Sequence, residues 1–361
     1  MSGQPRLQSL ATAVPPHVVR QEDVEAFARH LFSDVIASDP RLALVFDHAD
    51  IEKRHLCVPL EWLGRDHDFA EKNALYTEQA LALGAEVARQ ALAEAKLPPD
   101  SVDHLVFVSS TGLATPSIDA RLANVLNLRD DLRRTPIWGL GCAGGAVGLS
   151  RARDFALADP QARVLLIALE LCSPTFQRND LSKKNLVASS LFADGAAAAV
   201  VTGAGATAPR NGGPPPLEIR ASRSMMWKDT LDVMGWDIDG DGLHVVFSRD
   251  IPTIVHEKVK PSLDAFLESC GLDRAGLDHL VAHPGGVKVL AAYANALGLP
   301  AEALEHAREV LREYGNMSAP TCLFVLDRFR RAHEIARGDH AVVTALGPGF
   351  SAEYVLLGRT R

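Results

Sequence analysis

Hydrophobic and polar positions follow two patterns along the chain. Over residues 77–96 the apolar positions Leu81, Ala88, Leu92 and Ala95 fall on one face of a helical period, which predicts an amphipathic helix. Short apolar runs at 102–109, 162–169 and 196–201 are typical of buried strands. Strands that alternate with helices favour an α/β fold with sheets covered by helices. Further helices are predicted at 21–32, 146–157, 261–270 and 318–337, extended segments at 135–138, 278–282 and 340–346, and a loop at 204–216.

The second half of the chain repeats the first. Residues 102–106 match residues 277–281, at an offset of 278 − 103 = 175. At nearly the same offset, 316 − 142 = 174, Asn316 stands opposite Cys142, and each of the two precedes a predicted helix. This self-similarity predicts two halves related by a pseudo-twofold axis, an N-terminal half over 1–215 and a C-terminal half over 216–361.

Composition narrows the function classes. The 361 residues carry a net charge of −8, which argues against a general nucleic-acid binder. Five cysteines without C-x-x-C spacing make a disulfide framework or a metal site unexpected and favour a reducing cytoplasm. No apolar run reaches the roughly 18 residues of a membrane span, and residues 1–10 lack a signal-peptide pattern. We therefore expect a cytoplasmic protein without a metal or a membrane span.

One cysteine lies among small residues where an extended segment turns into a helix. Cys142 follows Gly139 and Gly141 and precedes Gly144 and Gly145. At a helix N-terminus the dipole and the free N–H groups favour a thiolate, and the glycines let a substrate carbonyl approach the backbone. Cys142 is either an acyl-accepting nucleophile or a buried structural cysteine in a packing turn.

Two further polar residues stand at equivalent turns. His283 ends the predicted strand 278–282, and Asn316 opens the helical stretch that mirrors the one after Cys142. An imidazole stabilises a neighbouring thiolate, and an imidazole and an amide aimed at one oxygen form an oxyanion hole. Cys-His-Asn therefore suits decarboxylative carbon–carbon bond formation from thioesters. The alternatives are a strand-end histidine and a helix N-cap asparagine.

At these residues the chain resembles the type III polyketide synthases, the chalcone-synthase-like family of the thiolase superfamily. The matching motifs are Gly141–Gly145, Leu191–Ala196, His283–Gly286, Gly315–Ser318 and Gly347–Gly349. The resemblance implies a thiolase fold of αβαβα layers, a homodimer, and a tunnel for the pantetheine arm of coenzyme A. It also implies coenzyme A thioesters as substrates, with no cofactor and no obligatory acyl carrier protein.

The resemblance also implies site roles. Cys142 would carry the starter and the growing chain, while His283 and Asn316 would decarboxylate malonyl-CoA and hold the enolate. Phe192 matches a gatekeeper aromatic, with core packing as the alternative, and Val245 replaces a second gatekeeper phenylalanine, which would open the cavity. The other residues expected to bind substrate are Ser110, Thr115, Cys172, Thr175, Ser318, Gly347, Pro348 and Gly349.

Lys53 and Arg54 lie where the family binds the coenzyme A phosphates. Their alternative is a solvated helix face over residues 51–55.

Residues 170–183 look most like bacterial members of the family that make alkylresorcinols and alkylpyrones from fatty acyl starters. The sequence therefore predicts a synthase that loads an acyl-CoA on Cys142, extends it with malonyl-CoA and cyclises the product. The alternatives are a ketoacyl synthase III-like enzyme, a synthase that makes another aromatic polyketide from malonyl-CoA or a small starter, a papain-like protease, and an inactive thiolase-fold partner. His283 followed by Pro284-Gly285-Gly286 speaks against the first of these, and the internal repeat against the protease.

Overall fold

A computed structural model describes residues 3–206, 213–248 and 250–359. The strands are β1 (Arg6–Ala13), β2 (His17–Arg20), β3 (Lys53–Leu56), β4 (His104–Val108), β5 (Arg133–Ile137), β6 (Arg163–Leu171), β7 (Asp194–Thr202), β8 (Leu217–Met226), β9 (Met234–Asp239), β10 (Gly242–Phe247), β11 (His279–Ala282), β12 (His340–Gly347) and β13 (Ser351–Gly358). The helices are α1 (Gln21–Leu31), α2 (Ser33–Ser38), α3 (Leu44–Asp47), α4 (Leu60–Leu63), α5 (Phe69–Ala95), α6 (Ile118–Val125), α7 (Gly144–Ala158), α8 (Lys183–Leu191), α9 (Ile251–Ile254), α10 (Lys260–Ser269), α11 (Val287–Leu297), α12 (Glu305–Tyr314) and α13 (Thr321–Arg331).

The principal sheet has two related halves. Its order is β11-β12-β13-β8-β1-β7-β6-β4-β5, and the halves meet where β1 pairs with β8 at Leu7 and Leu217. Starting from that seam, β1-β7-β6-β4 and β8-β13-β12-β11 each run through two antiparallel pairs and then one parallel pair. The identical strand orientations establish the pseudo-twofold relation that the sequence repeat predicts.

Helices separate and cover the two half-sheets. In the middle, α7 packs on β4 and β6 of its own half and on β12 and β13 of the other, while α13 contacts both β1 and β12. On one outer face α5 packs against β1, β6 and β7. On the other, α10 packs on β13 through Phe266 and Tyr354, whose ring centroids are 5.7 Å apart. The result is the predicted αβαβα layering, with the predicted nucleophile and amide at the helix starts of the middle layer.

Most predicted elements form, and the boundaries differ for local reasons. The helix predicted at 77–96 begins earlier, at Phe69, because the Asp68 carboxylate accepts a hydrogen bond from the Glu71 N–H and caps it. The helix predicted at 318–337 is shorter, since Ser318 has a φ of 57° and Pro320 occupies the N-cap. Of the predicted loop at 204–216, residues 207–212 lie outside the described residues.

The expectation of a helix face at residues 51–55 is wrong. Residues 53–56 form β3, which pairs with β2. Alternation along this strand buries Arg54 and Leu56 and exposes Lys53. None of the helices in the described segments is long and apolar enough to cross a membrane.

Candidate active site

Cys142 lies in a short 3₁₀ turn, Gly141–Ala143, directly before α7. Ser110 holds this turn in place, because its hydroxyl oxygen accepts hydrogen bonds of 3.2 Å from the backbone N–H groups of Gly139 and Gly141. A Cβ atom at Gly145 would lie 2.2 Å from the carbonyl oxygen of Ala319, so only glycine allows this close approach of α7 to the segment that precedes α13. The glycine-rich sequence around Cys142 thus serves to bring the two halves together.

Burial controls the charge of the Cys142 thiol. The side chain is 6% exposed, and desolvation raises its pKa to about 11. Hydrogen bonds from the Ser318 and Asn316 side chains to the sulfur act in the opposite direction. Burial therefore favours the neutral thiol over the thiolate, and activation of Cys142 as a thiolate stays a prediction.

Asn316 is locked in place by its backbone and by its side chain. The Asn316 N–H donates to the carbonyl oxygen of Leu191, and the Asn316 carbonyl accepts from the Ala193 N–H, both at 2.9 Å. The amide oxygen Oδ1 accepts a hydrogen bond of 2.8 Å from the Ser318 N–H. This bond fixes which way the amide points, so its N–H₂ group is directed to the carbonyl oxygen of Gly285 at 3.2 Å and to the Cys142 sulfur.

His283 follows β11 and is anchored by its backbone, since its N–H donates to the carbonyl oxygen of Thr344 at 2.9 Å. Its imidazole is buried, and neither Nδ1 nor Nε2 has a hydrogen-bond partner among the residues that the structure describes. Desolvation lowers its pKa to about 3, so the ring is neutral. The hydrogen bond from Asn316 Nδ2 to the Gly285 carbonyl oxygen connects the Asn316 side chain to the turn after His283. Because this bond uses the backbone of the turn, it does not occupy either ring nitrogen of His283.

The Cys142 side chain opens into a small cavity with about 30 Å³ of free space. Its walls include Phe192, Trp236, Val245, Phe247 and Pro348. That volume is on the order of two water molecules, too little for an acyl chain. Val245 lies on the wall of this cavity, and Trp236 and Phe247 fill the space beside Phe192. That Val245 leaves more room than a phenylalanine would stays a prediction.

A second, apolar cavity of about 60 Å³ adjoins the first. The two share a wall of four residues, which are Cys172, Phe192, Trp236 and Val245. Beyond this wall the second cavity is lined mainly by apolar side chains of α1, α4 and their neighbours, namely Val24, Phe27, Leu56, Leu60, Leu63 and Phe176.

The predicted substrate residues divide into three groups. Residues on a cavity wall are Phe192, Cys172, Thr175, Val245, Ser318 and Pro348. Others support the wall: Ser110 holds the Cys142 turn, Gly347 contacts Leu140 and Ala143 too closely for a side chain, and Gly349 has a φ of 131°. Thr115 is exposed on the surface of the single chain and lines neither cavity.

The assignment of Arg54 to the coenzyme A phosphates is wrong. Its guanidinium is 3% exposed and donates hydrogen bonds to the carbonyl oxygens of Ser189 at 2.6 Å and Phe192 at 2.9 Å, and to Oε1 of Gln21 at 2.7 Å. Burial lowers its pKa to about 9, against the attraction of Asp194. These internal acceptors occupy the guanidinium, whereas Lys53 is exposed on the same strand and remains a candidate.

Three residues of the site escaped the sequence analysis. Trp236 and Phe247 lie on one face of the β9–β10 hairpin, where Trp236 stands directly opposite Val245. The apolar positions Leu243, Val245 and Phe247 alternate with period two, a signal that could have identified this face. Glu170 is buried near the end of β6, and its Oε2 accepts hydrogen bonds from Ser110 and Thr111, while Oε1 has no partner in the described part of the chain.

Burial raises the pKa of Glu170 to about 8. No periodic pattern marks this residue, since it lies within an otherwise apolar, fully buried run.

Comparison with known proteins agrees with this geometry. The family profile of the chalcone and stilbene synthase N-terminal domain matches residues 1–206, and that of the C-terminal domain matches residues 218–360. A "Putative chalcone synthase" of Bacillus subtilis (strain 168) is 41% identical over 354 residues, 96% of this chain and 97% of the relative. A 1,3,6,8-tetrahydroxynaphthalene synthase of Streptomyces peucetius subsp. caesius is 40% identical, over 96% of this chain and 91% of the relative.

Solved structures give the same result. The crystal structure of 1,3,6,8-tetrahydroxynaphthalene synthase from Streptomyces coelicolor A3(2), a bacterial type III polyketide synthase, superimposes with a TM-score of 0.92. It shares 29% sequence identity, and the match covers 99% of each chain. Two domain matches that span nearly the whole sequence, together with relatives of about 40% identity, establish the family. The chain belongs to the type III polyketide synthases, the chalcone and stilbene synthase family of decarboxylating, condensing acyltransferases with the thiolase fold.

Proposed function

We propose that this synthase loads an acyl-CoA starter on Cys142, extends it with malonyl-CoA and releases a cyclised alkylpyrone or alkylresorcinol. The observation that carries the proposal is the apolar cavity that shares four wall residues with the catalytic cavity. An apolar space beside the nucleophile suits an aliphatic chain, because each CH₂ group that leaves water contributes about 0.8 kcal/mol.

Loading begins with two neutral groups. The Cys142 sulfur attacks the thioester carbonyl of the starter, and the thiol proton passes to a free nitrogen of His283. The new carbon–sulfur bond forms as the bond to coenzyme A breaks, and the departing thiolate takes the proton from the imidazolium. His283 is then neutral again for the next step.

Extension uses His283 and Asn316 as hydrogen-bond donors. The two donors hold the thioester oxygen of malonyl-CoA, the carboxyl–carbon bond breaks to release CO₂, and its electron pair becomes the enolate. The enolate carbon then attacks the acyl group on Cys142 and frees the sulfur. The Asn316 amide suits this work, since it carries no titratable proton and the Ser318 N–H fixes its orientation.

A second candidate function is a synthase primed by malonyl-CoA alone. The 40%-identical relative from Streptomyces peucetius is named a 1,3,6,8-tetrahydroxynaphthalene synthase, and the catalytic cavity of about 30 Å³ is tight. The purified enzyme is therefore incubated with labelled malonyl-CoA, with and without acyl-CoAs of graded length, and the products are identified by mass spectrometry. Products that retain the acyl chain support our proposal, whereas one aromatic product from malonyl-CoA alone supports the second candidate.

We also propose that the enzyme acts as a homodimer through the β5 edge of the sheet. Among the described strands β5 pairs only with β4, which leaves its outer edge open. Large apolar side chains nearby are exposed, with Leu113 at 42%, Val125 at 46% and Trp138 at 45%. Thr115 lies in this surface and would face the partner subunit. Analytical ultracentrifugation tests the proposal, and a monomer at micromolar concentration would contradict it.

A further inference from the structure

The β9–β10 hairpin forms one wall of the catalytic cavity and stands apart from the main sheet. It forms a separate two-stranded sheet. Its inner face presents Trp236, Val245 and Phe247 to the cavity, and the Phe192 ring lies 5.6 Å from Phe247 and 6.5 Å from Trp236. The position of this hairpin therefore decides how much room an acyl chain finds.

The turn of the hairpin is held from outside by one buried amide. Gln177 is 7% exposed, and its Nε2 donates hydrogen bonds to the carbonyl oxygens of Asp241 at 3.3 Å and Leu243 at 3.2 Å. The approach is close: a Cβ atom on Gly242, where φ is 125°, would lie 2.9 Å from Nε2. Within the hairpin, Asp239 Oδ1 accepts a hydrogen bond from the Asp241 N–H and contacts His244 Nε2. His244 also forms a 4.0 Å ion pair with Asp180.

Gln177 is itself oriented by a buried cation. Nζ of Lys72, on α5, donates to Oε1 of Gln177 at 2.8 Å, and this bond forces the amide N–H₂ group toward the hairpin. The Gln177 backbone is anchored as well, because Nδ2 of Asn185 donates to its carbonyl oxygen at 2.6 Å. A chain of hydrogen bonds thus runs from the outer helix layer to the turn of the cavity wall.

We propose that Gln177 is a positioning residue that fixes the β9–β10 hairpin and thereby sets the length of acyl starter that the catalytic cavity accepts. The inference rests on the proposed use of acyl-CoA starters. Gln177 touches neither the catalytic cavity nor Cys142, so it acts through Trp236, Val245 and Phe247.

The test compares Gln177→Glu with Asn179→Ala. Glutamate is nearly isosteric and keeps an acceptor for Lys72, but an ionised carboxylate cannot donate to the two carbonyl oxygens. Asn179 lies two residues away and binds Asp66 at the surface instead of the hairpin, which makes it the matched control. Kinetics with hexanoyl-, decanoyl- and myristoyl-CoA give the ratio of kcat/KM between starters, and hydrogen exchange reports on residues 236–247.

For Gln177→Glu we expect the ratio of kcat/KM between starters to change by about fivefold or more, because one lost hydrogen bond corresponds to about that factor. We also expect faster hydrogen exchange in the hairpin. Asn179→Ala should match the wild type. An unchanged ratio together with unchanged exchange would overturn the inference. If wild type accepts no acyl-CoA, the proposed function fails, and hydrogen exchange alone then decides whether Gln177 holds the hairpin. Gly242→Ala, whose added Cβ would press against Gln177 Nε2 and push the turn away from it, should reproduce the effect if Gln177→Glu does not fold.

Discussion

The buried guanidinium of Arg54 donates a hydrogen bond of 2.9 Å to the carbonyl oxygen of Phe192, one of the four residues in the wall between the two cavities. The stem of the same arginine packs on Gly315, where a Cβ atom would lie 2.8 Å from Arg54 Cγ. Gly315 immediately precedes Asn316. One buried cation therefore supports both the cavity wall and the backbone that leads into Asn316.

Replacing Arg54 tests this supporting role. We expect Arg54→Met to lower the free energy of unfolding by about 3 kcal/mol, because it leaves buried carbonyl oxygens without donors. Lys53→Met, on the exposed side of the same strand, should change it by less than about 0.5 kcal/mol. Urea denaturation measures both. A stable Arg54→Met enzyme with a raised KM for acyl-CoA but an unchanged KM for the 3′-dephospho analogue would restore the phosphate-binding role.

The pH dependence of Cys142 alkylation tests whether the buried Cys142 thiol is neutral. Burial raises the pKa of the Cys142 thiol to about 11. Below that pH, the thiolate fraction increases about tenfold for each unit by which the pH rises. The rate of iodoacetamide labelling should therefore rise steadily between pH 6 and pH 10. Mass spectrometry of the peptide that contains Cys142 separates this signal from that of Cys270, which is partly exposed. A plateau already reached at pH 7 would show a thiolate–imidazolium pair instead.

Asn316→Asp tests the amide as a donor to the enolate oxygen. A carboxylate keeps the shape but loses the N–H₂ donors, so decarboxylation of malonyl-CoA should fall by about 10²–10³-fold. Starter loading on Cys142 should fall less, since the nucleophile is intact. Asn124→Asp, on the exposed face of α6, serves as the control. Equal losses in loading and decarboxylation would assign Asn316 a structural role.

Glu170 predicts a specific pH dependence of stability. Its pKa is about 8 in the folded protein against 4.5 for the free side chain, so between these values the folded state binds more protons than the unfolded state. This contribution to stability is present at low pH and is lost as pH rises through that window. In Glu170→Gln the loss is absent. The free energy of unfolding at pH 5.5 and pH 8.5 should therefore fall less in the variant than in the wild type, and parallel changes would contradict the assignment.

Val245→Phe tests the shared wall of the two cavities. Phenylalanine beside Trp236 would fill space next to Phe192, and we expect the preferred starter to become shorter. Product profiles from acyl-CoAs of graded length measure this. An unchanged chain-length profile would remove Val245 from the acyl path.

Much of the fold could be predicted because both of its signals are local. Apolar periodicity marked α5, β4, β6 and β7, and the repeat of short motifs predicted the pseudo-twofold relation. The same repeat placed Cys142 and Asn316 at equivalent turns, and their side chains do meet.

Other features depend on contacts that no local pattern contains. Arg54 looked like a surface cation within a charged stretch, yet strand alternation turns it inward to carbonyl oxygens 135 and 138 residues away. The Cys142 thiol looked activated by a helix N-terminus, but the packing of two halves around it adds a desolvation cost that dominates its pKa. The size of the cavity depends on the position of the β9–β10 hairpin, which is separate from the main sheet.

We expect Cys142 to carry the acyl chain at the seam of the two halves. Intact-protein and peptide mass spectrometry after brief incubation with an acyl-CoA or malonyl-CoA measures this. One acyl adduct per chain should form on the peptide that contains Cys142, and none in Cys142→Ala. An adduct on another cysteine, or one that persists in Cys142→Ala, would contradict it.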